Sequence, residues 1–521
     1  MAARRTVLGA GLILLAAVAV LADEPRIASR LADASAVRRK LGLLPEYQDV
    51  AVDRLKIAIL DYGFEGMEGK GRYLPAHAVV VEHYDPEFVT RHQLGDPAFR
   101  RDFVPGNSHG RQMAQIVWAV TGGRPTGPQF YLLNANGPTL FRRAVRYAIE
   151  QRVDVILFSG VFEGGGNGDG RGFINRIVSE ALAAGIIWIN AAGNFGGRTY
   201  EGPVQIVPGG EVRFPGAANP TMLRFRNRLD ENTVTVTLMW NDYREEEDAG
   251  TEKDLDLFVY QTTGRLVAAS ELRQVRDRAA GEGESRNPRE RLVLRDLPAG
   301  EYWIKVRAKN PPAFGPADRL RVLVTTERPE AADPQTGQAL EAVPFYDANR
   351  KGELYPPADH PQVLTVGDTA ATSSLGATTD HRRKPDIVLG DSRATFTNGL
   401  TMQGASNAAA YFAGIVLVLK AADERLTSRH LLTWTHARVN RVTTDQPVSR
   451  TTRSGALVIR PSGGGASSTV QENWRTPTRQ ELANRLAGEP VPQPVPSVPR
   501  TEPTPSRPLP TQPRPQHELP P

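Results

Sequence analysis

No cysteine occurs anywhere in the sequence. That single absence removes disulfides, thiolate metal sites and cysteine nucleophiles together, while leaving the compartment open. Histidine is also scarce. The nine histidines show no HExxH or other paired ligand spacing, so no catalytic metal centre is expected. Charge of one sign is lacking too: the net charge is only +5, and the arginines are scattered among Asp and Glu, so no nucleic-acid partner is expected. After the first 22 residues no apolar run is expected to be long enough to cross a bilayer. A G-x-S-x-G nucleophile elbow is absent. The glycine-rich stretch GGGNGDG (164–170) lacks the Lys-Ser/Thr ending of a phosphate loop. Glu163 and Asp169 would repel an anion there, which leaves a flexible, substrate-side loop as the reading.

What is present begins with a basic head, MAARR, an apolar run, TVLGAGLILLAAVAVL, and a small-residue cleavage site before Asp23. This is the pattern of a secretory signal peptide over 1–22, and it places the chain outside the cytoplasm, in the periplasm or beyond, with no stable membrane span after processing. At 521 residues the chain exceeds what one core usually organises. A short polar arm (23–50) precedes alternating continuous apolar strands (LKIAIL, VDVILF, IIWIN) and amphipathic helices (SHGRQMAQIVWAV, TLFRRAVRYAIEQR, GFINRIVSEALAAG). That alternation predicts an α/β domain, a parallel sheet with helices on both faces, over 51–202. From 203 to 326 the period changes to short strand-like runs (TVTVTLMW, DLDLFVY, RLVLRDL, EYWIKVRA, RLRVLVTT) between Pro, Gly and charged turns, an all-β unit of sandwich type. The α/β style resumes over 327–460, so the β unit reads as an insert. Residues 461–521 turn Ser/Gly-rich and then Pro-rich, the composition of an extended, disordered tail.

In parallel sheets ligands gather outside the carboxyl ends of the strands. Asp61 ends the first strand, Ser159 ends VILF, and AAGN with Asn194 ends IIWIN, while His109 and Ser406 each open a helix that starts at that same rim. Ser406 sits in GASNAAAYFAG, where nearly every neighbour is small and a buried apolar helix follows. Taken singly, Asp61 reads as a strand-end cap, His109 as a helix-start residue and Ser406 as an N-cap. Together they carry acid, imidazole and hydroxyl, the groups that activate a serine nucleophile. The chain order Asp, His, Ser is that of subtilisin, whereas chymotrypsin runs His, Asp, Ser and the α/β-hydrolases run Ser, Asp, His.

The sequence resembles the subtilisin-like serine peptidases, or subtilases. AILDYGF is similar to the family's Asp motif, SHGRQMA to its His motif, AAGN to its oxyanion motif and GASNAAAYFAG to its Ser motif. YPPADHPQVLTVGD and KPDIVLGD resemble the stretches before the nucleophile, so the likeness covers roughly 51–200 and 350–425. It implies a catalytic triad of Asp61, His109 and Ser406, an oxyanion hole built from the Asn194 amide and the Ser406 N–H, and substrate binding along Ser159 and Gly160. The implied activity is that of an exported serine endopeptidase acting on protein or peptide substrates by an acyl-enzyme route, with no cofactor required for catalysis. The chain departs from the family's usual residues at Tyr62, Arg111, Gln115, Ala405, Asn407 and Ala410. These departures keep open an alternative, a catalytically degenerate subtilase that serves as a binding protein. In the insert, Asp242, Asp254 and Asp256 lie in a carboxylate-rich stretch and are the candidates for a structural calcium ion, with a solvated acidic turn as the alternative.

Overall fold

The computed structural model describes residues 31, 37–39, 41, 43, 45–65, 74–81, 84, 107–247, 249–333, 335–435, 457–459 and 477–487. The expected signal peptide (1–22) and most of the Pro-rich tail lie outside the described residues.

The first part of the chain supplies β1 (Lys56–Asp61), β2 (Val79–Val81), α1 (His109–Val120), β3 (Gln129–Asn134), α2 (Gly137–Glu150), β4 (Val155–Phe158), α3 (Phe173–Ala183) and β5 (Ile187–Ala191). In α2 the buried residues Phe141, Ala144, Val145 and Ala148 recur at helical spacing, and the chain reaches β4 through a short turn in which Val153 is buried. Eight further strands form the insert: β6 (Thr199–Pro203), β7 (Leu223–Asn227), β8 (Asn232–Trp240), β9 (Leu255–Gln261), β10 (Leu266–Ser270), β11 (Arg289–Leu297), β12 (Gly300–Ala308) and β13 (Arg319–Thr326). The chain then returns with β14 (Leu364–Asp368), β15 (Ile387–Leu389), α4 (Ala405–Ala422), β16 (Leu457–Ile459) and α5 (Arg479–Leu486).

One eight-stranded sheet has the order β2-β3-β1-β4-β5-β14-β15-β16, and every pairing in it is parallel. Strand alternation divides its side chains between two helical layers. Ile57, Ile59, Val155, Leu157, Ile187 and Ile189 pack with α1 and α4. Ala58, Leu60, Ile156, Phe158 and Trp188 pack with α2 and α3. The three-layer α/β architecture foreseen from the apolar strands is therefore present, and β5 pairs directly with β14 across the 172 residues between Ala191 and Leu364.

The insert forms two antiparallel four-stranded sheets, β11-β8-β13-β6 and β10-β9-β12-β7, closed on a common apolar cluster. Its edges differ from the sequence boundaries. Thr199–Pro203 pairs with β13, so the first strand begins before residue 203. Ala331, Ala342, Val343 and Phe345 join the sandwich core, so it extends beyond residue 326.

Three further expectations need correction. The arm before β1 is less polar in effect than in composition, because Val37, Leu41, Leu43 and Tyr47 are buried against the catalytic core. The tail is not extended throughout: α5 buries Leu482 and Leu486, and Tyr47 Oη donates to the Pro477 carbonyl at 2.6 Å. A capping box starts α5, with Thr478 and Glu481 each satisfying the other's backbone N–H, and this T-x-x-E signal stands in the sequence ahead of the proline run. Finally, α4 is long and apolar enough to cross a membrane by length and composition, contrary to expectation. Its residues Ala405 to Leu419 are all buried inside the fold, which accounts for the composition without a bilayer.

Candidate active site

Asp61 closes β1, a central strand flanked by β3 and β4, and its side chain is only 1 % exposed. One carboxylate oxygen, Oδ1, accepts the Tyr62 N–H at 2.8 Å. The other, Oδ2, lies 2.7 Å from His109 Nδ1, within the range of a charge-assisted hydrogen bond. A carboxylate only accepts, so Nδ1 carries the proton and Nε2 is left as the basic nitrogen. Gly110 makes this approach possible. A Cβ at that position would sit 2.6 Å from Asp61 Cβ and 2.4 Å from Phe64, so only glycine lets α1 begin so close to the end of β1. The Gly110 N–H donates to the Gly63 carbonyl at 2.8 Å, tying the Asp and His segments together through their backbones. Asn107 Oδ1 accepts the His109 N–H at 2.8 Å and so satisfies one of the orphan donors of the helix start. Burial, with a smaller contribution from Asp61, holds the Tyr62 phenol well above its ordinary range, so it is neutral.

Ser406 lies in the first turn of α4. This helix packs on α1 so tightly that a Cβ on Gly414 would come within 2.5 Å of Val120. His109 meets Asp61 at the end of β1 and Ser406 meets Ser159 just past the end of the adjacent parallel strand β4, which sets the two helix starts at the same edge of the sheet. Gly404, at φ 147°, precedes the helix, and a Cβ there would lie 3.3 Å from Asn194 Oδ1. Asn194 Oδ1 accepts the Ala405 N–H at 3.2 Å. Among the described residues its Nδ2 has no acceptor, and the Ser406 N–H, in the first turn, has no intrahelical one. Asn194 is thus held at the start of α4, bonded to the residue that precedes Ser406. The hydroxyl itself, buried with the residue 6 % exposed, donates to the Ser159 carbonyl at 3.1 Å. Among the described residues that is its hydrogen bond, so the expected link from Ser406 to His109 Nε2 is not made, while the link from His109 to Asp61 is.

Ser159 and Gly160 leave the end of β4 beside this hydroxyl. The Ser159 side-chain oxygen is buried without a hydrogen-bond partner. The Gly160 carbonyl accepts Asn190 Nδ2 at 3.0 Å and is therefore engaged inside the fold. The glycine loop that follows is not the free loop foreseen. Asn167 and Tyr243 exchange side-chain-to-backbone bonds of 3.0 and 2.9 Å, and Arg321 Nη2 donates to the Gly166 carbonyl at 3.2 Å. Gly170 N–H reaches Asp359 Oδ2 at 3.0 Å. The sandwich supplies Tyr243 and Arg321, and this is why the loop's own composition, rich in glycine, misrepresents its order.

The Subtilase family model, Peptidase_S8, matches residues 53–455. The chain belongs to the subtilase family. By family it is therefore a serine-type peptidase of subtilisin-like α/β fold. Among solved structures it is similar to the CspB protease of Clostridium perfringens, at 15% identity and a TM-score of 0.49, covering 81% of this chain and 95% of that one. It is also similar to MycP1 from the ESX-1 type VII secretion system, at 14% identity and a TM-score of 0.32, covering 84% and 86% respectively. MycP1 with its N-terminal propeptide removed gives 14% and 0.33, covering 81% and 94%. No curated protein matches the sequence.

Several residues that hold this subtilase site were missed from the sequence. Asp368, at the end of β14, accepts the Ser392 hydroxyl, and Ser392 Oγ in turn accepts the Gly404 N–H at 3.0 Å. Asn407 Nδ2 donates to the carbonyls of Ser392 and Met402 at 3.1 and 2.9 Å, anchoring the helix start. Ser374 Oγ accepts the Phe195 N–H at 3.0 Å and so fixes the turn that carries Asn194. Asp368 ends VLTVGD and Asn407 lies within GASNAAAYFAG, where it reads only as a departure from the family; Ser374 and Ser392 stand in no motif that signals a role.

The candidate calcium ligands are divided between different partners. Asp242 accepts the Thr251 hydroxyl at 2.5 Å and pairs with Lys253 at 3.3 Å. Asp256 Oδ2 faces Lys309 Nζ at 3.0 Å. Burial, reinforced by Asp256, pushes the Asp254 carboxyl up to about 6. Among the described residues no three acidic or histidine side chains are arranged to hold a metal ion. A lysine ammonium already occupies the position of a counter-ion to Asp256.

Proposed function

We propose that this protein is an exported serine endopeptidase that cleaves peptide bonds of protein or peptide substrates through an acyl-enzyme. The observation that carries the reading is the 2.7 Å contact between Asp61 Oδ2 and His109 Nδ1, which leaves Nε2 as a base at the same edge of the sheet as Ser406. Ser406 Oγ first leaves the Ser159 carbonyl by rotation about its Cα–Cβ bond. As Oγ attacks the scissile carbonyl carbon, its proton passes to His109 Nε2, and Asp61 stabilises the resulting imidazolium. The carbonyl π electrons move onto oxygen, which the Asn194 Nδ2 and Ser406 N–H donors receive. Collapse breaks the C–N bond while His109 returns its proton to the leaving amine. Water, deprotonated by His109, then attacks the ester carbon and restores Ser406. The Ser159 carbonyl, freed of the hydroxyl, becomes an acceptor for a substrate backbone N–H, in the manner of an added strand.

Purified wild-type protein is expected to react with a fluorophosphonate probe and to cleave casein, and Ser406→Ala to do neither. Undiminished labelling of Ser406→Ala would remove the assignment. Export is read from the signal-like residues 1–22, and a secreted mature chain beginning at Asp23 is the expected product by N-terminal sequencing. One observation favours the alternative, a catalytically degenerate binding protein: the Ser406 hydroxyl is bonded to Ser159 rather than to His109. Absence of both labelling and cleavage in folded wild type would favour that alternative.

A further inference from the structure

Tyr62 touches every part of the Asp–His pair. Its backbone N–H holds Asp61 Oδ1 at 2.8 Å. Its ring stacks beside the His109 imidazole, with centroids 6.1 Å apart and planes inclined by 11°. The Asn107 side chain, through Oδ1, accepts the His109 N–H at 2.8 Å and fixes the helix start beside this pair. The tyrosine is 8 % exposed, so these contacts are made in a packed site and not on a mobile surface. A small polar residue, which the subtilases usually have at this position, could supply the backbone contact but not the ring.

We propose that Tyr62 is a positioning residue for His109, setting the plane of the imidazole through its ring. The proposal rests on the reading of His109 as the general base. An imidazole bonded through Nδ1 alone can still swing about the Nδ1–Oδ2 axis; a flat ring lying parallel to it limits that swing and keeps Nε2 aimed at one place. The π face also favours the imidazolium that forms when Ser406 loses its proton. Both effects act on the transition state more than on substrate binding, so they belong in kcat and not in KM.

The test compares full-length Tyr62→Leu and Tyr62→Phe with wild type, using a soluble peptide substrate. Leucine keeps an apolar group without a ring; phenylalanine keeps the ring and gives up the hydroxyl. Offset ring pairs of this kind are worth enough to change a rate by roughly 3- to 10-fold. Tyr62→Leu is therefore expected to lower kcat about 5-fold with KM within about twofold of wild type, and Tyr62→Phe to retain more than half of the wild-type kcat. Equal kcat in Tyr62→Leu and wild type overturns the proposal, as does a loss that appears wholly in KM. If Tyr62→Leu does not fold, Tyr62→Phe decides by itself: retained kcat supports the ring's role and a fall of about 5-fold overturns it. Failure of wild type to cleave or to be labelled is a different result, since it removes the reading of His109 as a base before any Tyr62 variant is compared.

Discussion

Glu163 sits where the sandwich meets the catalytic domain, four residues after Ser159, and it is buried there with only 4 % exposure. Among the described residues its Oε1 has no hydrogen-bond partner, and its Oε2 receives only a long bond, 3.5 Å, from the Thr237 hydroxyl of β8. Burial, partly offset by Arg291 and Arg289, pushes its carboxyl from 4.5 up to about 7. Because the folded value is the raised one, folding favours the protonated acid. The associated stability is fully present below pH 4.5 and is lost as pH rises through 7. The gap between the two values corresponds to a cost of about 3 kcal/mol for carrying the charge once the pH exceeds 7. Glu163→Gln keeps the shape and the neutral hydrogen-bonding capacity while removing the titration. It should match wild type at pH 4.5 and exceed it by up to about 3 kcal/mol at pH 8, which for a chain of this size is roughly 6 °C in Tm. The assay is thermal unfolding of Ser406→Ala and the Ser406→Ala/Glu163→Gln double variant across that range, so that self-digestion does not interfere. Glu290, also pushed up to about 7 by burial, titrates in both proteins, so the difference between them isolates Glu163. A Tm difference that does not change with pH, or a double variant that is the less stable at pH 8, would refute the reasoning.

Two other outcomes can be measured directly. On the proposed mechanism Asn194→Ala should lower kcat with little change in KM, because its Nδ2, without an acceptor among the described residues, would meet charge that exists only in the transition state; the magnitude, about 10²–10³, is carried over from subtilisin, a member of the same family. Leu482→Ala should destabilise the protein by about 2–3 kcal/mol in urea unfolding, since Leu482 is 1 % exposed in the core beneath α5. An unchanged midpoint would mean that α5 is not docked in solution.

The fold was legible where patterns are local and strong. Continuous apolar runs such as KIAILD and VILF announce strands covered on both faces, and Phe141, Ala144, Val145 and Ala148 announce one side of a helix. Short polar signals inside misleading surroundings were lost: the Thr478–Glu481 capping box stands ahead of a proline-rich tail and was read with it. The glycine loop was misread for the opposite reason. Its composition is that of a flexible segment, but Tyr243 and Arg321, contributed by the insert, bind it from outside.

By itself the sequence determined the residue types of the site and the ends on which they stand, because strand direction in a parallel sheet and the start of each helix depend on nearby residues. It determined, too, that small side chains must surround Ser406 and follow His109. Only the tertiary structure decided which of those groups meet. Asp61 and His109 are 48 positions apart and lie in contact, while Ser406 and Ser159, 247 apart, share the hydroxyl's hydrogen bond. Hydrogen bonds are short and directional, so how α4 rests on α1 and the sheet fixes which acceptor the hydroxyl meets, here the Ser159 carbonyl. No local pattern of residues encodes that pairing; it is set by the packing of side chains drawn from the whole chain.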